Sequence, residues 1–186
     1  MKKIALVLLL FVSIIAVPCF AQDDVDWRTK LGQELPLLGH RNWIMIVDSA
    51  YPLQTSPGIE TIKTTGSQLQ VIRQVLAMID QTNHITPTVY LDAELTYVTD
   101  QLAPGVGVYR EHLQELIKDR PVKSMPHEAL ISQINQTGQT FHVLVLKTTG
   151  TIPYTSVFLD LDCKYWPPAA EQQLRQSMRS APQQNR

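Results

Sequence analysis

Leu38-Gly39-His40-Arg41-Asn42-Trp43-Ile44-Met45-Ile46-Val47-Asp48-Ser49-Ala50-Tyr51-Pro52 is the stretch that decides how this chain folds. Trp43 to Val47 are apolar without interruption, between a Gly-His pair and an acidic, turn-rich segment. A run this short, with no polar alternation, predicts a strand buried on both faces, as in a sheet covered by helices. Upstream, Asp26 to Leu38 reads as a short helix that stops at Gly39. Downstream, Ser49 to Gly58 carries Tyr51-Pro52 and Ser56-Pro57-Gly58, which is loop chemistry.

Beyond this stretch, strands and helices alternate. Ile59 to Lys63 reads as a short strand. Ser67 and Gln70 form a capping box ahead of Leu69, Ile72, Val75, Leu76 and Ile79, an apolar face at helical spacing. Thr88 to Leu91 reads as a strand, and a helix follows from about Val108 to Lys118. Ser124 is then expected to cap a helix whose inner face is Leu130, Ile131 and Ile134 and which ends at Gly138. Phe141 to Leu146 and Ser156 to Leu161 read as two closing strands. This order predicts an α/β layered fold in a single domain over residues 22–166. Residues 167–186 form a C-terminal extension, with a weak helical stretch around Leu174 and a polar tail expected to be mobile.

Residues 1–21 read as a secretory signal peptide: Lys2 and Lys3, an apolar run from Ile4 to Val17, and a small residue at Ala21. The expected location is periplasmic or secreted, with no membrane contact after cleavage. Loss of Cys19 with the signal leaves Cys163 alone, so the mature chain forms no internal disulfide. The net charge of −1 becomes −3 without Lys2 and Lys3, and the remaining charges are interspersed. No basic stripe exists to neutralise phosphates, which excludes nucleic acid as the expected partner.

Several polar residues stand where chemistry could occur. His40 precedes the buried strand and Asp48 ends it. The five residues between Asn42 and Asp48 span roughly 17 Å if extended, so the two serve different sites or meet through a neighbouring subunit. By residue type alone, His40 reads as structural and Asp48 as an organiser of the following turn. Asp92 and Glu94 lie two apart, on one side of an extended segment, and read as a solvated strand end. Cys163 reads as a buried apolar residue and Lys147 as a surface lysine. His84, His112 and His142 lack ligand spacing, so no metal is expected.

The Leu38-Gly39-His40 opening, the apolar strand, Asp48 and Pro52 resemble the D-ribose pyranase and L-fucose mutarotase family. Pro126-His127-Glu128 is similar to that family's second histidine. Pro153-Tyr154-Thr155-Ser156 is similar to its Tyr-x-Asn segment, with Ser156 in place of Asn. The resemblance spans about residues 35 to 162 and implies a mostly buried mixed sheet covered by helices. It further implies a monosaccharide substrate and a mutarotase or pyranase that opens the sugar ring by general acid/base catalysis. In that mechanism His40 is the principal acid/base and Asp48 holds sugar hydroxyls or orients an imidazole. His127, Tyr154 and Ser156 complete the substrate contacts. No cofactor is implied, and a homo-oligomer with sites at subunit interfaces is. The alternative is a non-catalytic sugar-binding module, or a scaffold that keeps the same fold.

Overall fold

A computed structural model describes residues 26–180. The signal peptide expected at residues 1–21 and the tail beyond Ser180 lie outside the described residues. Five α-helices, α1 (Trp27–Glu34), α2 (Gln68–Asp80), α3 (Val106–Ile117), α4 (His127–Thr137) and α5 (Pro168–Ser180), accompany six strands. The strands are β1 (Trp43–Val47), β2 (Ile59–Lys63), β3 (Ile85–Asp92), β4 (Val122–Met125), β5 (Val143–Lys147) and β6 (Val157–Cys163).

The deciding stretch forms β1, buried along its whole length near the middle of one sheet. The strand order is β2-β5-β1-β6-β3-β4. β1 pairs with β5 in parallel and with β6 antiparallel, and β3 also pairs with β6 antiparallel. The sheet is therefore mixed, with β6 running against the other five strands. Side chains alternate across a strand, which splits β1 between two cores. Ile44 and Ile46 pack with Leu31 of α1, Ile72 and Val75 of α2 and Leu113 of α3. Trp43, Met45 and Val47 pack with Leu130 and Ile134 of α4 on the other face. Each such buried side chain contributes roughly 1.5–3 kcal/mol of transfer free energy, so both faces of β1 anchor the sheet.

Two expectations are corrected. Ser124 is no helix cap: it lies in β4, whose residues Val122 to Met125 pair with Val89 to Asp92 of β3. Pro126 occupies the N-cap position, and α4 starts at His127. The third strand is longer than Thr88 to Leu91 and contains Pro87. Proline is tolerated there because β4 pairs only from Val89 onward, leaving Pro87 with β6 as its one neighbour. The extension is helical over Pro168–Ser180, with no buried residue in the helix and a Glu171–Arg175 pair at 2.6 Å along it.

The reversed strand gathers the site. Parallel strands end at one edge of the sheet, and β6 begins there. Asp48 after β1, Asp92 at the end of β3, His127 after β4, Lys147 at the end of β5 and Ser156 before β6 all fall at that edge.

Candidate functional site

A cleft of about 420 Å³ opens at this edge between residues 48–52 on one side and residues 151–154 on the other, with His127 also lining it. Its position at the carboxyl ends of parallel strands is where open α/β sheets bind their ligands. One Asp48 oxygen accepts the Ala50 amide at 2.7 Å, so Asp48 does organise the turn. Lys147 is only partly exposed and donates to the Tyr51 carbonyl at 2.7 Å, which ties β5 to the same loop. The His127 and Tyr154 rings meet edge to face, 5.4 Å between centroids and 88° between planes. Tyr154 holds φ at 58°, a left-handed conformation that costs roughly 1–2 kcal/mol for a residue with a Cβ. Strain of this kind collects at ligand sites, where surrounding structure holds it in place.

His127 is fixed from behind by two carboxylates. Its backbone amide donates to both Glu94 oxygens, at 3.1 and 3.0 Å. Its Nδ1 lies 3.0 Å from Asp92 Oδ1. Asp92 is 1% exposed, and its Oδ2 has no hydrogen-bond partner. Burial raises the Asp92 pKa to about 6, while the hydrogen bond and charge of His127 pull it down and Glu94 and Asp48 push it up. At neutral pH an ionised Asp92 accepts from Nδ1–H, and that tautomer leaves Nε2 as the proton acceptor. The solvated-strand-end reading of Asp92 and Glu94 is thus corrected. The two acids at the end of a strand were the visible signal, and a contact 35 residues away in sequence supplied the rest.

The structure brings together Asp48, His127 and Tyr154. His40 stands at the opposite edge of the sheet, exposed, with Nδ1 2.8 Å from Asp162 Oδ1, and does not line this cleft. Ser156 is fully buried with its hydroxyl unpartnered, and it does not line the cleft either. Glu34, Glu60 and His142 do converge, with ligand atoms within 4.8 Å of one another. Lys30 already pairs with both carboxylates there, which makes the group an ion-pair network. Among the described residues no helix is long and apolar enough to cross a membrane.

The architecture and cleft define an α/β protein with an open cleft at the carboxyl ends of a mixed sheet. The sequence pattern of the RbsD / FucU transport protein family matches residues 28–163, and the chain belongs to that family. No curated protein sequence matches it. Among solved structures it is similar to Bacillus subtilis RbsD complexed with D-ribose, at 18% identity and a TM-score of 0.52, covering 72% of this chain and 92% of that one. It is also similar to the fucose mutarotase in complex with L-fucose from Streptococcus pneumoniae, at 16% identity and a TM-score of 0.47, covering 70% of this chain and 89% of that one.

Proposed function

We propose that the cleft binds a monosaccharide and interconverts its ring forms, as a mutarotase or pyranase acting outside the cytoplasm. Family membership supports the sugar. The observation that carries the chemistry is the buried Asp92 carboxylate behind the His127 imidazole, with Tyr154 edge-on beside it. Ring opening requires a base to take the proton of the anomeric hydroxyl and an acid to protonate the ring oxygen as the bond from that oxygen to the anomeric carbon breaks. His127 Nε2 is the base in this reading, and Asp92 stabilises the imidazolium that forms. Asp48 and Tyr154 hold sugar hydroxyls. Reclosure on either carbonyl face, or by another hydroxyl, changes the anomer or the ring size, with no net consumption of protons.

His40 enters through a second copy of the chain. A homo-oligomer that sets the start of β1 in one copy against the Tyr154 loop of another adds the second imidazole, as acid for the ring oxygen. Ser156 backs the Tyr154 loop. No step calls for a redox group or a leaving group.

Magnetisation-exchange NMR on a panel of pentoses and hexoses tests the reading. Faster exchange between ring forms is the expected result. Line broadening without faster exchange would leave a sugar-binding module, and no effect on any sugar would remove the sugar reading.

A further inference from the structure

His40 opens onto a hollow of about 720 Å³ at its own edge of the sheet. One wall is the His40–Asp162 pair. The other is the carboxyl-terminal extension, past residue 163 where the family pattern ends. Trp166 stands on that second wall, 44% exposed. Glu171 accepts its indole N–H at 2.9 Å and the Arg175 Nε at 2.6 Å, so the ring is held in place. Glu171 and Arg175 of α5 line the hollow too. Residues three and four apart share a helix face, so Leu174 and Met178 flank them on that face. These two are the large apolar residues of α5, and both remain exposed, at 43% and 59%.

α5 thus holds its apolar stripe at the hollow and buries none of it in its own chain. A helix of 13 residues is marginal in water by itself and draws its stability from packing an amphipathic face. The exposed Glu171–Arg175 pair adds little. The stripe therefore calls for a cover from outside this copy. The proposed sugar site already brings the Tyr154 loop of a second copy to His40, and a loop that reaches His40 through this hollow lies against the extension as well. The rim of that cleft carries exposed Leu53 beside Pro52, apolar surface to match the stripe. An anionic membrane would call for a cationic flank, and Glu171 offsets Arg175 here. We infer that the extension clasps the neighbouring copy: α5 packs on the rim of that copy's cleft, and Trp166 becomes an added wall of its sugar site. An aromatic plane there meets the C–H face of a sugar ring and sets how tightly it is held. This role rests on the shared-site reading above, which it extends from His40 to a segment outside the family pattern.

Photocrosslinking tests the contact without calling on activity. Full-length protein with p-benzoylphenylalanine in place of Leu174 is assembled with isotope-labelled copies and irradiated. The expected product joins position 174 of one copy to residues 48–54 or 151–154 of another. Links confined to one copy, links elsewhere on the neighbour, or links to added phosphatidylglycerol vesicles in place of the neighbour overturn the clasp. Kinetics test Trp166. Trp166→Ala should raise KM for ring exchange of D-ribose or L-fucose about tenfold, more than it lowers kcat. Refolded together with His127→Ala, it should regain a wild-type KM at about one quarter of the shared sites, where an intact cleft meets an intact Trp166. An indole acting within its own copy regains none, because every cleft with His127 then lacks Trp166. Catalysed exchange with KM unmoved, or with no regained component, overturns the role of Trp166 and leaves the isomerase standing. No catalysed exchange on any sugar removes the isomerase, and the crosslink alone then supports or overturns the clasp.

Discussion

Asp92 Oδ1 sits 3.0 Å from Nδ1 of His127, and this carboxylate has almost no contact with solvent. The pair couples the end of β3 to the first residue of α4. In the proposed mechanism Asp92 is a positioning residue, one that acts on the sugar only through the imidazole. Asp92→Asn should slow ring exchange by roughly tenfold to a hundredfold, because an amide neither fixes the tautomer nor stabilises the imidazolium. The rate should fall through kcat with KM little changed, and the acid limb of the pH–rate profile should move. An unmoved profile would reduce Asp92 to a packing role.

The same carboxylate gives stability a pH dependence of unusual sign. Its pKa rises from 3.8 to about 6 on folding, chiefly through burial. Between those values the folded state binds a proton that the unfolded state does not. Its contribution is therefore fully present below about pH 4 and lost as pH rises through 6. Relative to Asp92→Asn, the native protein should gain up to about 3 kcal/mol between pH 7 and pH 4. Urea unfolding of both proteins across that range checks the sign.

Mixing two inactive variants asks whether sites are shared between copies. His127→Ala and His40→Ala should each lower ring exchange by about a hundredfold. Denatured and refolded together, they should recover about one quarter of the wild-type rate, the share of shared sites that random assembly leaves intact. Absence of recovery in a mixture that light scattering shows to be oligomeric would take His40 out of the sugar site.

Tyr154 holds its left-handed backbone at the lip of the cleft. Tyr154→Gly should relieve roughly 1 kcal/mol of backbone strain and leave the melting temperature unchanged or higher. Sugar binding should weaken about tenfold or more, because a phenol that packs against His127 and borders the cleft is gone. Calorimetric melting and sugar titration on one preparation check both halves.

Two glycines with opposite surroundings give a structural control. A methyl on Gly58 would collide with the Phe141 carbonyl oxygen and lie 2.7 Å from that of Gly138. Gly58→Ala should cost about 1–3 kcal/mol, since backbone cannot swing aside. Nothing lies within 4 Å of a methyl on Gly39, so Gly39→Ala should change stability by less than about 0.5 kcal/mol. Chemical denaturation resolves the difference.

The parts legible in the sequence are those with a local signature. β1 announces itself as five apolar residues in a row, and α2 by its capping box and periodic face. β4 is hidden because Val122, Lys123 and Ser124 are exposed and carry no alternation, and Ser124 there imitates a helix cap. Asp92 and Glu94 look like solvated acids until β4 lies beside β3 and delivers His127 to them. The gathering of Asp48, His127 and Tyr154 came from a likeness of motifs, since no local rule links positions so far apart. The separation of His40 from Asp48 along β1 was visible from strand length alone.

The lone countercurrent strand has one more result. Because β6 starts beside the Tyr154 loop, its 7 residues must finish at the far rim, and whatever follows Cys163 is carried away from the mouth of the first cleft. Within one copy of the chain, additions at the carboxyl terminus, whether acquired in evolution or fused in the laboratory, can grow there without closing that copy's own entrance.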